Sequence, residues 1–317
     1  MLRVSLSHPF GKLFRYAMKR LKFLVSLHSN ENDFQMAQAK AAEEAARKLG
    51  ITVEIAFADN DAVNQSTQIL KAIQNPVESR PDAIVLEPVS GTALPQVARA
   101  ACSAGVGWAV LNRTPDYIPE LRRAATSPFF TVSADNVEIG RIQGKQFAAL
   151  LPRGGSILYI EGPAQSSSAQ KRTAGMLQTK PPNIQVSTLR GKWTAESAER
   201  AVSSWLNLAT SQKSVIDLVS AQDDSMAMGA RKALQKIANH EEQARWLSLP
   251  FTGCDGQPAA GEVWVRKGWL AATVYVPPLA GKAIEILTKA IQDQSQPPEH
   301  TMVASHSIPA LNTLAPR

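Results

Sequence analysis

The stretch KFLVSLHSNENDFQMAQAKAAEEAARKLGITVEIAF spans residues 22–57 and holds two apolar runs on either side of a helical pattern. The first run, 22–28, has the length and aliphatic composition of a buried strand. Apolar residues then recur at three- and four-residue steps over 36–49, which is the spacing of one helix face. Gly50 follows as a C-terminal cap, because glycine readily adopts the left-handed conformation that ends helices. The order strand, helix, strand predicts a parallel βαβ unit.

The same alternation continues through most of the chain. We predict further strands near 51–57, 83–87, 108–111, 129–133, 156–160, 184–189, 215–219, 247–252 and 270–276. We predict further helices near 62–74, 92–103, 135–151, 168–178, 195–208, 224–238, 259–266 and 279–292. This spacing indicates an α/β protein with parallel sheets that helices cover on both faces.

The alternation pauses between Pro115 and Pro128, which makes this segment the first candidate for an inter-lobe connection. A chain of 317 residues is at the limit of a single hydrophobic core, so two domains are expected. We predict two similar doubly wound parallel-sheet lobes, joined by a three-strand hinge near Ser133, Val276 and Ser305. The predicted parts are a basic leader at 1–21, a first lobe at 22–133 plus 277–304, and a second lobe at 134–276 plus 305–317.

The positive charge of the chain is concentrated at its start. Six of the 34 Lys and Arg residues lie within the first 22 positions, before the first acidic residue, Glu31. The rest carries 28 basic and 27 acidic residues, so most of the net charge of +7 arises from the first 22 positions. A nearly neutral body lacks the basic surface that nucleic-acid phosphates attract. We therefore predict no nucleic-acid partner.

Cys102 and Cys254 are far apart in sequence and are assigned to different lobes, so we expect two packed thiols and no disulfide. The five His residues do not cluster, and no metal-ligand spacing is present, so we predict no metal. The sequence contains no run of 18 or more apolar residues, so it offers no candidate for a transmembrane helix. In the leader, Arg15 interrupts the apolar run that a secretory signal needs, so a cytoplasmic location stays open.

In open parallel α/β sheets, ligands bind beyond the carboxyl ends of the strands. The residues that follow the predicted strands are rich in carboxylates, amides and guanidinium groups, with aromatic rings among them. Sugar hydroxyls need paired donors and acceptors, and the C–H face of a sugar stacks on aromatic rings. The candidate ligand-binding residues are Asn32, Phe34, Gln35, Asn112, Arg113, Arg172, Trp193, Asp223 and Asp255.

Catalytic signatures are missing from this pattern. No Ser or Cys lies in a recognisable nucleophile setting with a placed His, and no glycine-rich phosphate loop follows the first strand. We predict recognition without catalysis, no enzyme activity and no cofactor. A Rossmann-type enzyme is the least favoured alternative.

Nine short segments occur in an order that is typical of one family. They are NDFQ (32–35), KLG (48–50), DAIVLEP (82–88), VLNR (110–113), SADN (133–136) with Gly140, AQKR (169–172), AQDDSMAMG (221–229), GCDG (253–256) and LAAT (270–273). From residue 22 to the last helix, the chain resembles the ribose-binding branch of the periplasmic sugar-binding proteins. Their type I fold is shared with the effector domains of lactose-repressor-type regulators.

The resemblance implies a first-lobe wall and a second-lobe wall, formed by Asn32, Phe34, Gln35, Asn112 and Arg113 and by Arg172, Trp193, Asp223 and Asp255. In this reading Phe34 and Trp193 stack on the sugar, and Asn112 and Arg113 bind ring hydroxyls. The resemblance also implies a monomeric solute-binding protein of an ABC-type sugar uptake system, in the periplasm or at the cell surface. Its partners are then a monosaccharide or polyol and a membrane permease.

An alternative is a sensor domain that presents its closed form to a signalling partner. About 21 residues precede the first strand, so we expect no helix-turn-helix headpiece. Structural roles also stay open at single positions: packing for Phe34 and Trp193, a salt bridge for Arg113 and a solvated helix surface for Arg172. Of the adjacent Asp223 and Asp224, we expect one to cap a helix and the other, Asp223, to face the cleft.

Three positions depart from the family pattern. Asn112 stands where many relatives have Asp, and Asp223 stands where they often have Asn. Val276 stands where a polar ligand-binding residue is common. The first two exchanges move a charge between lobes and the third removes a hydrogen bond, so ribose itself is a poor assignment.

Overall fold

The computed structural model describes residues 20–89, 94–208 and 214–316. The strands are β1 (Lys22–Leu27), β2 (Thr52–Phe57), β3 (Ala83–Leu86), β4 (Gly107–Leu111), β5 (Phe129–Ala134), β6 (Gly155–Glu161), β7 (Ile184–Arg190), β8 (Leu218–Ala221), β9 (Phe251–Thr252), β10 (Thr273–Tyr275), β11 (His300–Val303) and β12 (His306–Ile308). The helices are α1 (Asp33–Leu49), α2 (Ala62–Gln74), α3 (Pro95–Ser103), α4 (Ile118–Ala124), α5 (Asn136–Leu150), α6 (Ser167–Thr179), α7 (Ala195–Leu206), α8 (Asp224–Gln235), α9 (His240–Ser248), α10 (Gly261–Arg266) and α11 (Ala280–Gln292). The start of the predicted 92–103 helix and most of the leader lie outside the described residues.

Six parallel strands form the first sheet, in the order β11-β5-β4-β3-β1-β2. Alternate residues of each strand pack on opposite faces. Val25 and Leu27 of β1 lie in a core with α1 and α11, whereas Leu24 lies in a second core with α2, α3 and α4. Because helices bury both faces, the strands are almost continuously apolar, and polar residues begin where the strands end.

The second sheet has the parallel order β7-β6-β8-β9. Strand β10 continues it through single bridges from Thr252 to Ala272 and from Asp255 to Tyr275, and β12 pairs antiparallel with β10. One face packs against α7, α8 and α9, and the other packs against α5 and α6. These two sheets confirm the predicted fold class of two α/β lobes.

Three connections in the described chain run from one sheet to the other. They lead from β5 into α5, from β10 into α11, and from β11 into β12. Their positions agree with the hinge expected near Ser133, Val276 and Ser305. The residue-by-residue lobe boundaries stay a prediction, since the sheets fix only their strands.

The expectation that 115–128 connects the lobes is wrong. Helix α4 lies within this segment, and its residues Ile118 and Leu121 are buried in a core of the first lobe. Strand β5 then pairs with β4 in the first sheet. A proline in the first turn and a length of only seven residues hide this helix from a periodicity search.

Segments near the end of the chain also differ from the prediction. The strand expected at 247–252 is only β9, because α9 occupies 240–248 with Asn239 as its N-cap and Trp246 buried. The short strands β11 and β12 were not predicted. Strand β8 begins at Leu218 rather than at 215. Cys102 and Cys254 are unpaired, as expected. Among the described helices, none is both long and apolar enough to cross a bilayer.

Two neighbouring helices of the second lobe approach unusually closely. A Cβ atom at Gly140 in α5 would overlap the carbonyl oxygen of Arg172 in α6, and one at Gly175 would overlap the carbonyl oxygen of Val137. Glycine is therefore required on both helices at this contact. The contact sets the position of α6 and hence of the Arg172 side chain.

We predict that Gly140→Ala lowers the free energy of unfolding by about 1–3 kcal/mol, because the added methyl group must push α6 away. Urea denaturation monitored by circular dichroism measures the change. The control is Lys145→Ala on the exposed face of the same helix, which should cost no more than about 0.5 kcal/mol. Equal stability of wild type and Gly140→Ala would contradict this packing argument.

Candidate functional site

A cavity lies where the carboxyl ends of the two sheets face each other. The centres of water-sized groups can occupy about 50 Å³ of it, so it holds several such groups. The structure brings all nine predicted residues together around this space. They are Asn32, Phe34, Gln35, Asn112, Arg113, Arg172, Trp193, Asp223 and Asp255. Sequence reasoning did not predict the other five lining residues, which are His28, Ser29, Asn60, Glu87 and Ser168.

The first wall begins at the N-terminus of α1. Asn32 is its N-cap, and its side-chain oxygen accepts hydrogen bonds from the backbone N–H groups of Phe34 (2.8 Å) and Gln35 (3.3 Å). This cap turns the ring of Phe34 toward the cavity, where it also joins an apolar cluster with Ile139 and Val276. Phe34 therefore has both roles, packing and cavity lining.

Glu87, directly after β3, is the centre of the first wall. Its carboxylate accepts hydrogen bonds from Gln35 (3.1 Å) and Gln38 (3.2 Å) on one oxygen and from Asn112 (2.9 Å) on the other. The first lobe therefore keeps a buried carboxylate although Asn112 is neutral. The exchange of charge between lobes relative to relatives stays a prediction, and in this chain Glu87 supplies a first-lobe carboxylate one strand away from Asn112. An acidic residue at the end of the apolar run AIVL was the signal.

Arg113 bridges the two lobes. Its Nη1 donates to the carbonyl oxygen of Asn112 (2.8 Å) and to the hydroxyl of Ser168 in α6 (2.7 Å). Asn32 makes a second bridge, since its Nδ2 donates to the carbonyl oxygen of Trp193 (2.8 Å). These bonds cross the cleft, so the lobes are in contact around the cavity.

Arg172 is held on the second wall by neighbouring backbone and side chains. Its Nε donates to Asn136 Oδ1 (3.0 Å), and its Nη1 donates to the carbonyl oxygen of Gln222. Nη1 also lies 3.9 Å from a carboxylate oxygen of Asp255. Arg172 is buried and is not the solvated helix residue of the alternative reading.

Asp223 and Asp224 do not divide their roles as expected. Asp223 both caps α8, accepting from the Met226 N–H, and lines the cavity. Asp224 is buried behind the wall, where it accepts hydrogen bonds from Thr273 Oγ1 and the Gly256 N–H (both 2.7 Å). One carboxylate can cap and face the cavity because its two oxygens point in different directions.

Trp193 lies between Gly162 and Arg172. A Cβ atom at Gly162 would overlap the indole ring, and the guanidinium carbon of Arg172 lies 5.6 Å from the ring centre. Thr194 follows as the N-cap of α7, as predicted. The ring is therefore fixed from both sides in the wall of the cavity.

Backbone strain is concentrated at this cavity. Among the described residues, seven other than glycine have positive φ, and four of them line the cavity: Asn60 (57°), Asn112 (55°), Trp193 (64°) and Asp255 (107°). Positive φ costs free energy for a residue with a side chain, notably for the bulky Trp193 and for Asp255, whose φ lies outside the left-handed helical range. Such strain persists where a side chain must point in a required direction.

Burial shifts several ionisation equilibria in and behind the walls. It raises the pKa of Asp223 to about 7 and that of Asp224 to about 8, against the stabilising N–H and hydroxyl donors. Burial also raises the pKa of Asp255 well above its usual range, although Arg172 opposes this shift. Burial lowers the pKa of His28, with Arg113 adding to the effect, which favours a neutral imidazole.

Val276 does not lie where the sequence comparison suggested. It is fully buried in the apolar cluster with Phe34 and is not among the cavity-lining residues, while its carbonyl oxygen accepts from Gln257 Nε2 (2.8 Å). The missing polar side chain therefore leaves no gap in the wall. No set of three or more His, Cys, Asp or Glu in the described part of the chain could hold a metal ion.

Two α/β lobes around a polar cleft define a two-lobed binding protein. The model of the periplasmic binding protein domain matches residues 23–295, so the chain belongs to that family. It is 24% identical over 280 residues to the galactofuranose-binding protein of Escherichia coli, covering 87% of this chain and 84% of that protein. It is 27% identical over 272 residues to the ribose import binding protein of Bacillus subtilis, covering 85% and 80%.

A solved structure shows the same fold. The ABC transporter periplasmic solute binding protein from Actinobacillus succinogenes, with bound D-allose, superposes with a TM-score of 0.76 at 22% identity, covering 91% of this chain and 97% of that one. The family and these relatives are binding proteins and not enzymes. The predicted family and the predicted absence of enzyme activity are therefore confirmed.

We predict that the free energy of unfolding falls as the pH rises from about 5 to about 8. Asp224 ionises at roughly pH 4 in the unfolded chain but near pH 8 when folded, so the folded state binds the extra proton between these values. Asp224→Asn keeps the shape and the hydrogen bonds of the neutral acid. It should reduce this fall by an amount on the order of 2 kcal/mol in urea denaturation.

The control for this measurement is Glu241→Gln, which neutralises an exposed carboxylate on α9. Asp223 and Asp255 still titrate in the Asp224→Asn variant, so its fall should be smaller but not zero. The same fall in wild type and Asp224→Asn would refute the assignment.

We further predict that Gly162→Ala displaces the Trp193 indole, because the new methyl group overlaps its six-membered ring. The emission spectrum of the protein, which has six tryptophans, should shift. In a Trp193→Phe background the smaller ring leaves room for the methyl group, so Gly162→Ala should cause no spectral change. An identical change in both backgrounds would show that Gly162 acts elsewhere.

Proposed function

We propose that this chain is the solute-binding protein of an ABC-type uptake system and binds a monosaccharide or polyol between its two lobes. The observation that carries the proposal is a cavity lined by polar and aromatic side chains from both lobes. Guanidinium, amide and carboxylate groups offer the paired donors and acceptors that neighbouring hydroxyls need. Phe34 and Trp193 add flat apolar faces.

In this proposal the ligand stabilises the closed arrangement of the two lobes. Arg113 and Asn32 make cross-lobe hydrogen bonds only when the lobes are together. A ligand that contacts both walls binds the closed state better than the open one, so it shifts the population toward closure. A membrane permease then distinguishes the closed form from the open form.

The relatives support this assignment. They are named for galactofuranose binding and ribose import, and the solved D-allose complex is described as an ABC transporter component. We carry over from them a sugar or polyol ligand, a periplasmic or cell-surface location and a permease partner. We also propose that the protein acts as a monomer, since one copy supplies both walls.

Thermal unfolding and isothermal titration across pentoses, hexoses, sugar alcohols and inositols test the proposal. A ligand present at 100 times its dissociation constant should add about 2.7 kcal/mol to stability, which raises Tm by several degrees. The proposal fails if ligand-free protein shows neither heat nor a Tm shift with any of these compounds.

The Arg172→Lys variant tests whether binding occurs in this cavity. Lysine keeps the charge but loses the planar paired donors, so affinity should fall at least tenfold. Lys171→Ala is the matched control, because Lys171 is the exposed neighbour on the same helix and should leave affinity unchanged. Equal losses in both variants would place binding elsewhere.

A further inference from the structure

The buried charges around the cavity do not balance. Three carboxylates line it, from Glu87, Asp223 and Asp255, against two guanidinium groups, from Arg113 and Arg172. All five residues are less than one-tenth exposed. With all five ionised, the closed cleft holds one net negative charge. An uncompensated charge in an enclosed space is costly, so it attracts a cation or takes up a proton.

The excess charge does not lie on the first wall. Both oxygens of Glu87 accept hydrogen bonds from amide groups, and three such donors converge on this one carboxylate. The guanidinium of Arg113 lies close enough to Glu87 for the two charges to interact. Glu87 is thus satisfied without a ligand.

The second wall is different, because Asp223 and Asp255 share Arg172. Nε and Nη1 of Arg172 already donate to Asn136 and to the carbonyl oxygen of Gln222, and its approach to Asp255 is 3.9 Å. Within the described residues, the Asp255 carboxylate accepts no hydrogen bond. The free oxygen of Asp223 has only a 3.5 Å contact with Asn32. Two buried carboxylates thus face the cavity with unused acceptors.

Arg113, on the other side of the cavity, has hydrogen-bond donors that are not used. Its Nε is buried and has no hydrogen-bond partner among the described residues. No ligand atom can reach this nitrogen, but Arg113 lines the cavity, and its Nη2 takes part in none of the hydrogen bonds of the described residues. A ligand hydroxyl can accept from Nη2, whereas an ammonium group cannot, since ammonium has no acceptor. The cavity is therefore polarised, with donors unused at Arg113 and acceptors unused at Asp223 and Asp255.

We infer that the ligand is a cationic polyol, an amino sugar or an aminocyclitol, whose ammonium group lies against Asp223 and Asp255 while its hydroxyls face Arg113. This inference rests on the proposed function, because it assumes that a polyhydroxylated ligand occupies the cleft. The ammonium supplies the missing positive charge and up to three donors for the free carboxylate oxygens. The raised pKa of Asp223 and of Asp255 accords with a wall that holds protons while this cation is absent.

The test compares ligand pairs that differ only in one group, an ammonium in one member and a hydroxyl in the other. Glucosamine with glucose, galactosamine with galactose and inosamines with inositols are suitable pairs for titration calorimetry at pH 7. In at least one pair the amine should bind at least tenfold more tightly. Tighter or equal binding of the neutral member in every binding pair overturns the inference and leaves the proposed function standing.

The variants Asp223→Asn and Asp255→Asn locate the effect. Asparagine is a good helix N-cap, so α8 stays capped in the first variant. Each variant should lower the ratio of amine affinity to hydroxyl affinity at least tenfold. The control is Glu196→Gln, an exposed carboxylate near the mouth of the cleft, which should leave the preference unchanged.

Three outcomes contradict the inference in different ways. Loss of both ligands to the same extent in the Asp variants would mean that the carboxylates bind hydroxyls and not an ammonium. The same loss of amine affinity in Glu196→Gln would mean that the preference is a general effect of charge. Binding of neither member in any pair would overturn the inference, and only the absence of binding across the wider screen of sugars and polyols would also remove the proposed function.

Discussion

The cleft depends on where the guanidinium group of Arg172 is held. Its helix can approach α5 only because Gly140 has no side chain, and its own nitrogens are then fixed by Asn136 and Gln222. In this position it lies over Trp193 and provides the positive charge that Asp223 and Asp255 share. This fixed cation opposes the rise in pKa that burial causes at Asp223 and Asp255, so it lowers the cost of burying two neighbouring carboxylates.

The first wall also contains a buried carboxylate, that of Glu87, and neutral amide donors stabilise it. Glu87 is held by amide groups from α1 and from the residue after β4, so its carboxylate is positioned by protein side chains alone. The strained backbone of Asn112 directs its amide toward Glu87. Prearranged groups of this kind bind with less loss of entropy than mobile ones. The two walls meet through Arg113 and Asn32, so the binding surface is complete only when the lobes are together.

The sequence predicted the fold well because buried parallel strands and capped helices leave strong periodic signals. It also predicted nine cavity residues, since parallel strands place their following residues at one edge. It missed Glu87 because the predicted strand 83–87 includes this residue, while the ligand rule for parallel sheets selects residues beyond the strand ends. It misplaced Val276 because sequence position gives the strand but not the direction of a side chain near a hinge. Helices α4 and α9 were not predicted, because elements of seven to nine residues contain only about two turns and show little periodicity.

The account rests on one ligand that touches both walls of one cavity at once. A crystal structure of the protein with the tightest-binding compound tests this claim most directly. The account predicts a single ligand between the rings of Phe34 and Trp193, within hydrogen-bond distance of Arg113 on one side and of Arg172 and Asp255 on the other. A ligand that contacts only one lobe, or that binds outside this cavity, would contradict it.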